Sequence, residues 1–190
     1  KLQVIQSFDE SEQTVGNPCK RDKTMMRTLV VLVIIVLSTT AQADVIFPNL
    51  TADDLNGRSV NLPADFPEAP TVVFIAYKRN QQPSIDAWVE RLGLRESGGL
   101  AWIEMPVVGR GAAFFRSFVD KGMRAGITSI SMRAKTITVY SSRNAFNRSL
   151  GIDGRSEIYV ALVDPDGTVH SLIKGDVTEA KVKKLRAAYP

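Results

Sequence analysis

The stretch "TVVFIAYKRNQQPSIDAWVERL", Thr71–Leu92, carries the pattern that decides the fold. It opens on a β-branched and aromatic run, which is typical of a strand covered on both faces. After a polar loop, Pro83 suits the first turn of a helix, because its missing N–H would have no partner there. Apolar residues then recur at the i, i+3, i+4 and i+7 spacing of one helix face (Ile85, Trp88, Val89, Leu92). The stretch therefore predicts a buried strand that leads into an amphipathic helix.

The polar loop between this strand and helix lies at the kind of junction where α/β proteins often place functional residues. Its candidate binding residues are Lys78, Arg79, Asn80, Gln81 and Gln82. In one interpretation the free N–H groups and dipole of the helix N-terminus favour an anion, and Lys78 and Arg79 add charge. In the other, Asn80 or Gln82 caps the helix while the two cations lie in solvent. No catalytic residue is assigned.

The rest of the chain continues the alternation of strands and helices. Phe114, Phe115, Phe118 and Val119 predict a second amphipathic helix, and Ser142 or Asn144 is a candidate cap for a short one. An extended lead-in with a short strand at 58–62 precedes the stretch, and residues 127–135 suggest a loop with a turn of helix. The remaining strands and the last helix are predicted in "LAWIEMPVV", "TITVY", "EIYVALVDPDGTVHSLIKG" and "DVTEAKVKKLRAAY". This order predicts a mixed sheet flanked by helices, with a closing hairpin.

The first 43 residues have a different character from the rest. Residues 25–43 hold a basic residue, a short apolar run and the ending "STTAQA", which together describe a secretory signal peptide cleaved after Ala43. The alternative is a membrane anchor, but the run is well short of the ~20 apolar residues that span a bilayer. We interpret residues 1–24 as an upstream extension and 44–190 as a single domain. The expected location is the periplasm.

Composition excludes several classes of function. The formal net charge of +4 is small for a dedicated nucleic-acid binder, so no nucleic-acid partner is expected. The only cysteine is Cys19, upstream of the predicted cleavage site. The domain from residue 44 onwards therefore has no thiol for a disulfide, a nucleophile or a metal ligand.

The strand–helix order and three segments resemble the thioredoxin-like superfamily, nearest its peroxiredoxin and redoxin branch. These are "TVVFIAYKRNQQPSIDAW", "TITVYSSRNAFNRSLGI" and "ALVDPDGTVHSLIKGDV". The resemblance implies an α/β three-layer sandwich with a mixed central sheet, a closing β-hairpin and a C-terminal helix. It also implies that Arg79 and Gln82 stand where the family has its cysteines, and that "GRSEIYV" replaces the segment with its cis-proline. The closing "LVDPDGTVHSLIKG" is similar to that of ATP synthase assembly factors of this fold.

Other candidate chemistry has ordinary structural explanations. His170 is the only histidine, and a single histidine makes a poor metal site because such a site needs further ligands. We therefore expect it to be a surface residue or a hydrogen-bonded residue of a strand. Asp53 and Asp54 suggest a solvated loop, and Asp164 and Asp166 belong to the hairpin turn. We therefore expect no metal and no cofactor.

One region is biased toward positive charge. Between residues 116 and 148 only Asp120 is acidic, against seven basic residues (Arg116, Lys121, Arg124, Arg133, Lys135, Arg143, Arg148). This predicts either a face for an anionic partner, acidic protein or lipid headgroups, or a dispersed, solvated set. The function favoured by the whole sequence is an exported binding or assembly module that acts on a protein partner without redox chemistry. The alternatives are an enzyme of unrelated mechanism with an anionic substrate, and a structural envelope protein.

Overall fold

The computed structural model describes residues 45–189, so the predicted extension and signal peptide lie outside the described residues. Within this range one sheet contains seven strands. They are β1 (Leu50–Asp54), β2 (Ser59–Leu62), β3 (Thr71–Ala76), β4 (Trp102–Gly109), β5 (Ile137–Ser141), β6 (Tyr159–Val163) and β7 (Val169–Lys174). The α-helices of this range are α1 (Gln82–Leu92), α2 (Arg116–Gly126), α3 (Ile130–Lys135), α4 (Arg143–Ser149) and α5 (Glu179–Ala187). Short 3-10 segments cover Arg79–Gln81 and Arg110–Phe115.

The sheet is mixed, as the sequence predicts, with strand order β2-β1-β5-β4-β3-β6-β7. The central β3 runs parallel to β4 and antiparallel to β6, so it is hydrogen-bonded on both edges. The strands β6 and β7 form the closing hairpin, and the parallel pairs are joined through helices. This arrangement confirms the α/β class with a mixed sheet and a closing hairpin.

Two apolar clusters lie on opposite faces of the sheet and define three layers. On one face Val73 and Ile75 pack with Phe146 of α4. On the other, Val72 and Phe74 pack with residues of α1 and α5, of which Trp88 is an example. Successive strand residues point to opposite faces, so β3 contributes to both clusters. This explains why its sequence is apolar at consecutive positions.

The lead-in differs from the sequence prediction, because it contains a second strand. The two strands β1 and β2 pair as an antiparallel hairpin. Asp54 is buried, and its carboxylate accepts hydrogen bonds from the N–H groups of Asn56 and Arg58 at 2.8 and 2.9 Å. Asp53 accepts a hydrogen bond from Arg116 at 2.5 Å. The prediction of a solvated loop at Asp53 and Asp54 is therefore wrong. The polar residues of this segment do not show the apolar alternation typical of a strand, yet Asp54 stabilises the turn after β1 and Asp53 forms an ion pair with Arg116.

The predicted helix after β4 is present, but its phenylalanines do not pack into the core. Phe114 and Phe115 lie in the 3-10 segment and Phe118 lies in α2, with exposed fractions of 91, 68 and 81%. The spacing fits one helix face, yet no neighbouring element covers that face within the described residues. Residues 130–135 form the short helix α3, as the sequence suggests. None of the helices described between residues 45 and 189 combines the length and apolarity needed to cross a bilayer.

Candidate functional site

The polar loop lies between the end of β3 and the start of α1, with Pro83 in the first turn of the helix. Four of its candidate binding residues are exposed (Lys78, Arg79, Asn80, Gln82). The residue preceding the helix is Gln81, and its side chain makes no capping hydrogen bond. Neither Asn80 nor Gln82 is therefore the cap of α1, whereas Lys78 and Arg79 are exposed, as the capping interpretation expects.

Gln81 differs from its neighbours because its side chain is directed into the protein. It is 5% exposed, and its Oε1 accepts hydrogen bonds from the N–H groups of Tyr77 and Lys78 at 2.7 and 3.1 Å. Its Nε2 donates to the carbonyl of Arg155 at 3.1 Å. All three contacts are with partly buried backbone groups, for which the Gln81 side chain supplies a partner within the protein. Gln81 thus holds the loop in place, and the exposed residues carry the surface.

Tyr77 provides a second attachment for the loop. Its hydroxyl donates to Oδ1 of Asn147 on α4 at 2.6 Å. Burial raises the pKa of the Tyr77 hydroxyl well above its ordinary value, so this group remains a proton donor at neutral pH. Together Tyr77 and Gln81 tie the loop to α4 and to the segment before β6. The loop is therefore a preformed surface.

A groove with a cavity volume of about 800 Å³ runs beside this loop, between α1, β4 and the α2–α3 region. The loop contributes Lys78, Arg79 and Gln82 to its lining. The helices contribute apolar side chains, among them Ile85, Met123 and Met132. The volume falls within the range of about 300–1,000 Å³ that is usual for ligand sites. Four of the five residues predicted from the sequence are exposed, and three of them border this groove.

Glu104 on β4 is a groove residue that the sequence analysis did not select. It is only 5% exposed, and Nε2 of Gln82 donates to its two carboxylate oxygens at 3.3 and 3.4 Å. Burial raises the pKa of Glu104, while the hydrogen bond from Gln82 opposes the shift. A lone charged residue inside the apolar strand "LAWIEMPVV" is the sequence signal that could have identified it.

We expect Glu104→Gln to stabilise the protein at neutral pH by about 1 kcal/mol. The substitution removes a buried charge whose hydrogen bonds with the Gln82 side chain are long. With its pKa raised in the folded state, Glu104 binds its proton more tightly there than in the unfolded chain. Its contribution to stability therefore falls as the pH rises from the unfolded-state pKa through the folded-state pKa. Urea unfolding from about pH 4 to pH 8 should show a smaller decline in the variant than in the parent.

The matched control for this measurement is Glu90→Gln, because Glu90 is an exposed carboxylate on α1. This control should leave the pH profile close to that of the parent. An equal change in both variants would show that the effect comes from net charge and not from burial at Glu104.

The remaining polar candidates have partners within the fold. Nε2 of His170 lies 2.7 Å from a carboxylate oxygen of Asp164, as expected of a hydrogen-bonded strand residue. Asp166 accepts a hydrogen bond from the N–H of Thr168 in the hairpin turn. Residues 45–189 contain no cluster of three or more histidine, aspartate or glutamate side chains placed to hold a metal ion.

Six of the seven basic residues between 116 and 148 divide into two groups, and the seventh, Arg143, is half-buried. Arg116 pairs with Asp53 and Asp120, the guanidinium of Arg133 donates to two backbone carbonyls, and Lys135 lies 4.7 Å above the Trp102 ring. By contrast, exposed members of the set make no ion pair with any described residue (Lys121, Arg124, Arg148). Some of these basic side chains are thus bound by other residues of the domain, and the others are exposed to solvent.

Comparison with known proteins places the fold. No protein-family model matches the chain, and no curated protein matches it. Solved structures do, among them BsSco, a member of the Sco family of cytochrome c oxidase assembly proteins, with a TM-score of 0.52 and 10% identity, covering 77% of this chain and 95% of that one. A putative electron transport protein from Aquifex aeolicus VF5 has a TM-score of 0.52 and 14% identity, covering 77% and 95% of the two chains. At these identities the likeness concerns the fold.

The chain has a thioredoxin-like fold, as its sequence resemblance implied. The loop after β3 is where that resemblance located the family's cysteines, and this chain has Arg79 and Gln82 there. The segment before β6 also contains no proline between Gly154 and Tyr159. Because residues 45–189 include no cysteine, this domain offers no dithiol for disulfide exchange.

Proposed function

We propose that the protein is an exported binding or assembly module that uses a thioredoxin-like fold without thiol chemistry. The observation that carries this proposal is the groove beside the loop. The side chains of Gln81 and Tyr77 hold the loop in place by hydrogen bonds. Lys78 and Arg79 are exposed residues of the loop that line the groove. Exposed groups on a rigid support are characteristic of binding sites. Export is supported by the sequence pattern of residues 25–43.

The lining of the groove indicates the chemistry of a protein partner. Met123 and Met132 are unbranched and polarisable, and such side chains adapt to partners of different shape. The cations at Lys78 and Arg79 favour carboxylates. We infer that the partner inserts an apolar side chain into the groove and presents acidic residues to the loop. This arrangement would place apolar burial at the centre and charge at the rim, as in most interfaces.

Glu104 favours one alternative, an enzyme with an anionic substrate. A buried carboxyl group with a raised pKa in a cleft can serve as a general acid or base. In that function Lys78 and Arg79 would hold the substrate, and Glu104→Gln would abolish turnover while leaving substrate binding intact. A binding module would instead keep its partner in the Glu104→Gln variant.

The test of the proposed function is affinity capture with the tagged full chain, comparing the parent with Lys78→Ala/Arg79→Ala. We expect the double variant to recover about tenfold less of the same partner, because loss of two charges at an interface rim weakens association. Lys183→Ala/Lys184→Ala is the matched control, since it removes two exposed cations from α5. Equal recovery by the loop variant and the control would contradict the proposal, as would reproducible reduction of insulin by the chain.

A further inference from the structure

Three phenylalanines project from the segment 110–126, which contains the second 3-10 turn and α2 and is called here the aromatic segment. Phe114, Phe115 and Phe118 are 91, 68 and 81% exposed. They fall within five consecutive residues, with Phe118 four and three positions after Phe114 and Phe115. Phe118 borders the groove, whereas Phe114 and Phe115 do not contribute to its lining. Phe118 therefore belongs both to the groove rim and to the exposed aromatic surface, whereas Phe114 and Phe115 belong to that surface alone.

The size of this apolar surface is unusual for a side that faces water. A phenylalanine contributes about 200 Å² when fully exposed, so the three rings present on the order of 500 Å². A patch of that size is at the upper end of what monomeric soluble proteins expose, and it commonly marks an interaction site. Phe114 and Phe115 are not part of the groove lining, and their rings are largely exposed.

Charge on the same segment identifies the kind of partner. Arg110, Lys121 and Arg124 are exposed, and none of them makes an ion pair with a described residue. The acidic residue of the segment, Asp120, is buried, and it accepts a hydrogen bond from the Tyr140 hydroxyl at 2.7 Å. The accessible surface is consequently aromatic and cationic, with no accessible carboxylate on the segment.

We propose that the aromatic segment docks on an anionic lipid surface. Phe114, Phe115 and Phe118 enter the boundary between headgroups and acyl chains, and the neighbouring cations contact phosphate groups. Projecting rings suit this boundary because they need no complementary pocket, whereas a protein partner would have to supply one. The proposal does not depend on the groove function, because Phe114 and Phe115 lie outside the groove and only Phe118 borders it.

The test places an indole in the aromatic segment and asks whether it reaches lipid. The full chain carrying Phe115→Trp is mixed with vesicles of phosphatidylglycerol and phosphatidylcholine whose acyl chains are brominated, which quench indole fluorescence on contact. The native Trp88 and Trp102 are buried, so the parent chain gives the background. We expect quenching with the anionic vesicles that declines as salt is added, and little with phosphatidylcholine alone.

Two further variants make the result specific to this surface. Adding Lys121→Glu/Arg124→Glu should raise the lipid concentration at half-quenching by about tenfold, because each cation near an anionic surface contributes to binding. Tyr189→Trp introduces an indole at an exposed aromatic position outside the segment and should remain unquenched.

Two outcomes would overturn the proposal. One is quenching of Phe115→Trp no greater than that of the parent. If, in that case, the emission of Phe115→Trp changes with protein concentration in the absence of vesicles, the patch contacts a second copy of the chain instead of lipid. The other is equal quenching in Phe115→Trp and Tyr189→Trp, which would show that a different part of the chain carries the protein to the vesicles.

Discussion

Replacing Trp88 with alanine should lower the free energy of unfolding by about 4 kcal/mol, because the loss of a buried aromatic side chain leaves a cavity that the surroundings fill only partly. Trp88 is fully buried on α1, in the apolar cluster that the helix shares with β3 and α5. Its indole Nε1 also donates to the carbonyl of Gly175 at 3.0 Å. The substitution removes both the packing and this hydrogen bond. It therefore weakens the attachment of the helix that follows the candidate loop.

The companion variant Trp88→Phe separates the two contributions. Phenylalanine retains most of the apolar volume but leaves the Gly175 carbonyl without its donor, so the expected loss is about 1–2 kcal/mol. Urea unfolding followed by circular dichroism gives both values, provided that the transitions remain two-state. A loss for Trp88→Phe as large as that for Trp88→Ala would show that the hydrogen bond, and not packing, dominates at this position.

Gln81→Leu should destabilise the protein by about 3 kcal/mol, although leucine has a similar size and is itself apolar. Leucine offers no acceptor to the N–H groups of Tyr77 and Lys78 and no donor to the carbonyl of Arg155. These backbone groups are partly buried, so each one left without a partner carries a desolvation cost. The amides of Tyr77 and Lys78 should also exchange their hydrogens faster than in the parent.

Asn80→Leu is the matched control, because Asn80 is the exposed neighbour of Gln81 in the same 3-10 turn. Its effect should stay within about 0.5 kcal/mol, as for most surface substitutions. A comparable loss in both variants would contradict the role given to Gln81, since the cost would then come from placing leucine in this turn.

Much of the fold could be predicted because its strongest signals are local. The consecutive apolar residues of β3, the helical spacing in α1 and the turn between β6 and β7 each depend on neighbours in sequence. The cap of α4 was also among those predicted, since the Ser142 side chain accepts a hydrogen bond from the N–H of Ala145. By contrast, β1 escaped prediction because its sequence "LTADD" is mostly polar. Its pairing with β2 and β5 compensates for that composition.

The sequence by itself determined that the domain has no thiol, and it located the loop where a thioredoxin-like protein would place its cysteines. These conclusions depend only on residue identity and order. Tertiary structure decided which loop residues face inward, since Gln81 is buried by contacts with the distant Arg155. It also placed Glu104 in a groove and left Phe114 and Phe115 uncovered. Burial depends on partners remote in sequence, and a local pattern shows that a face is apolar without showing what covers it.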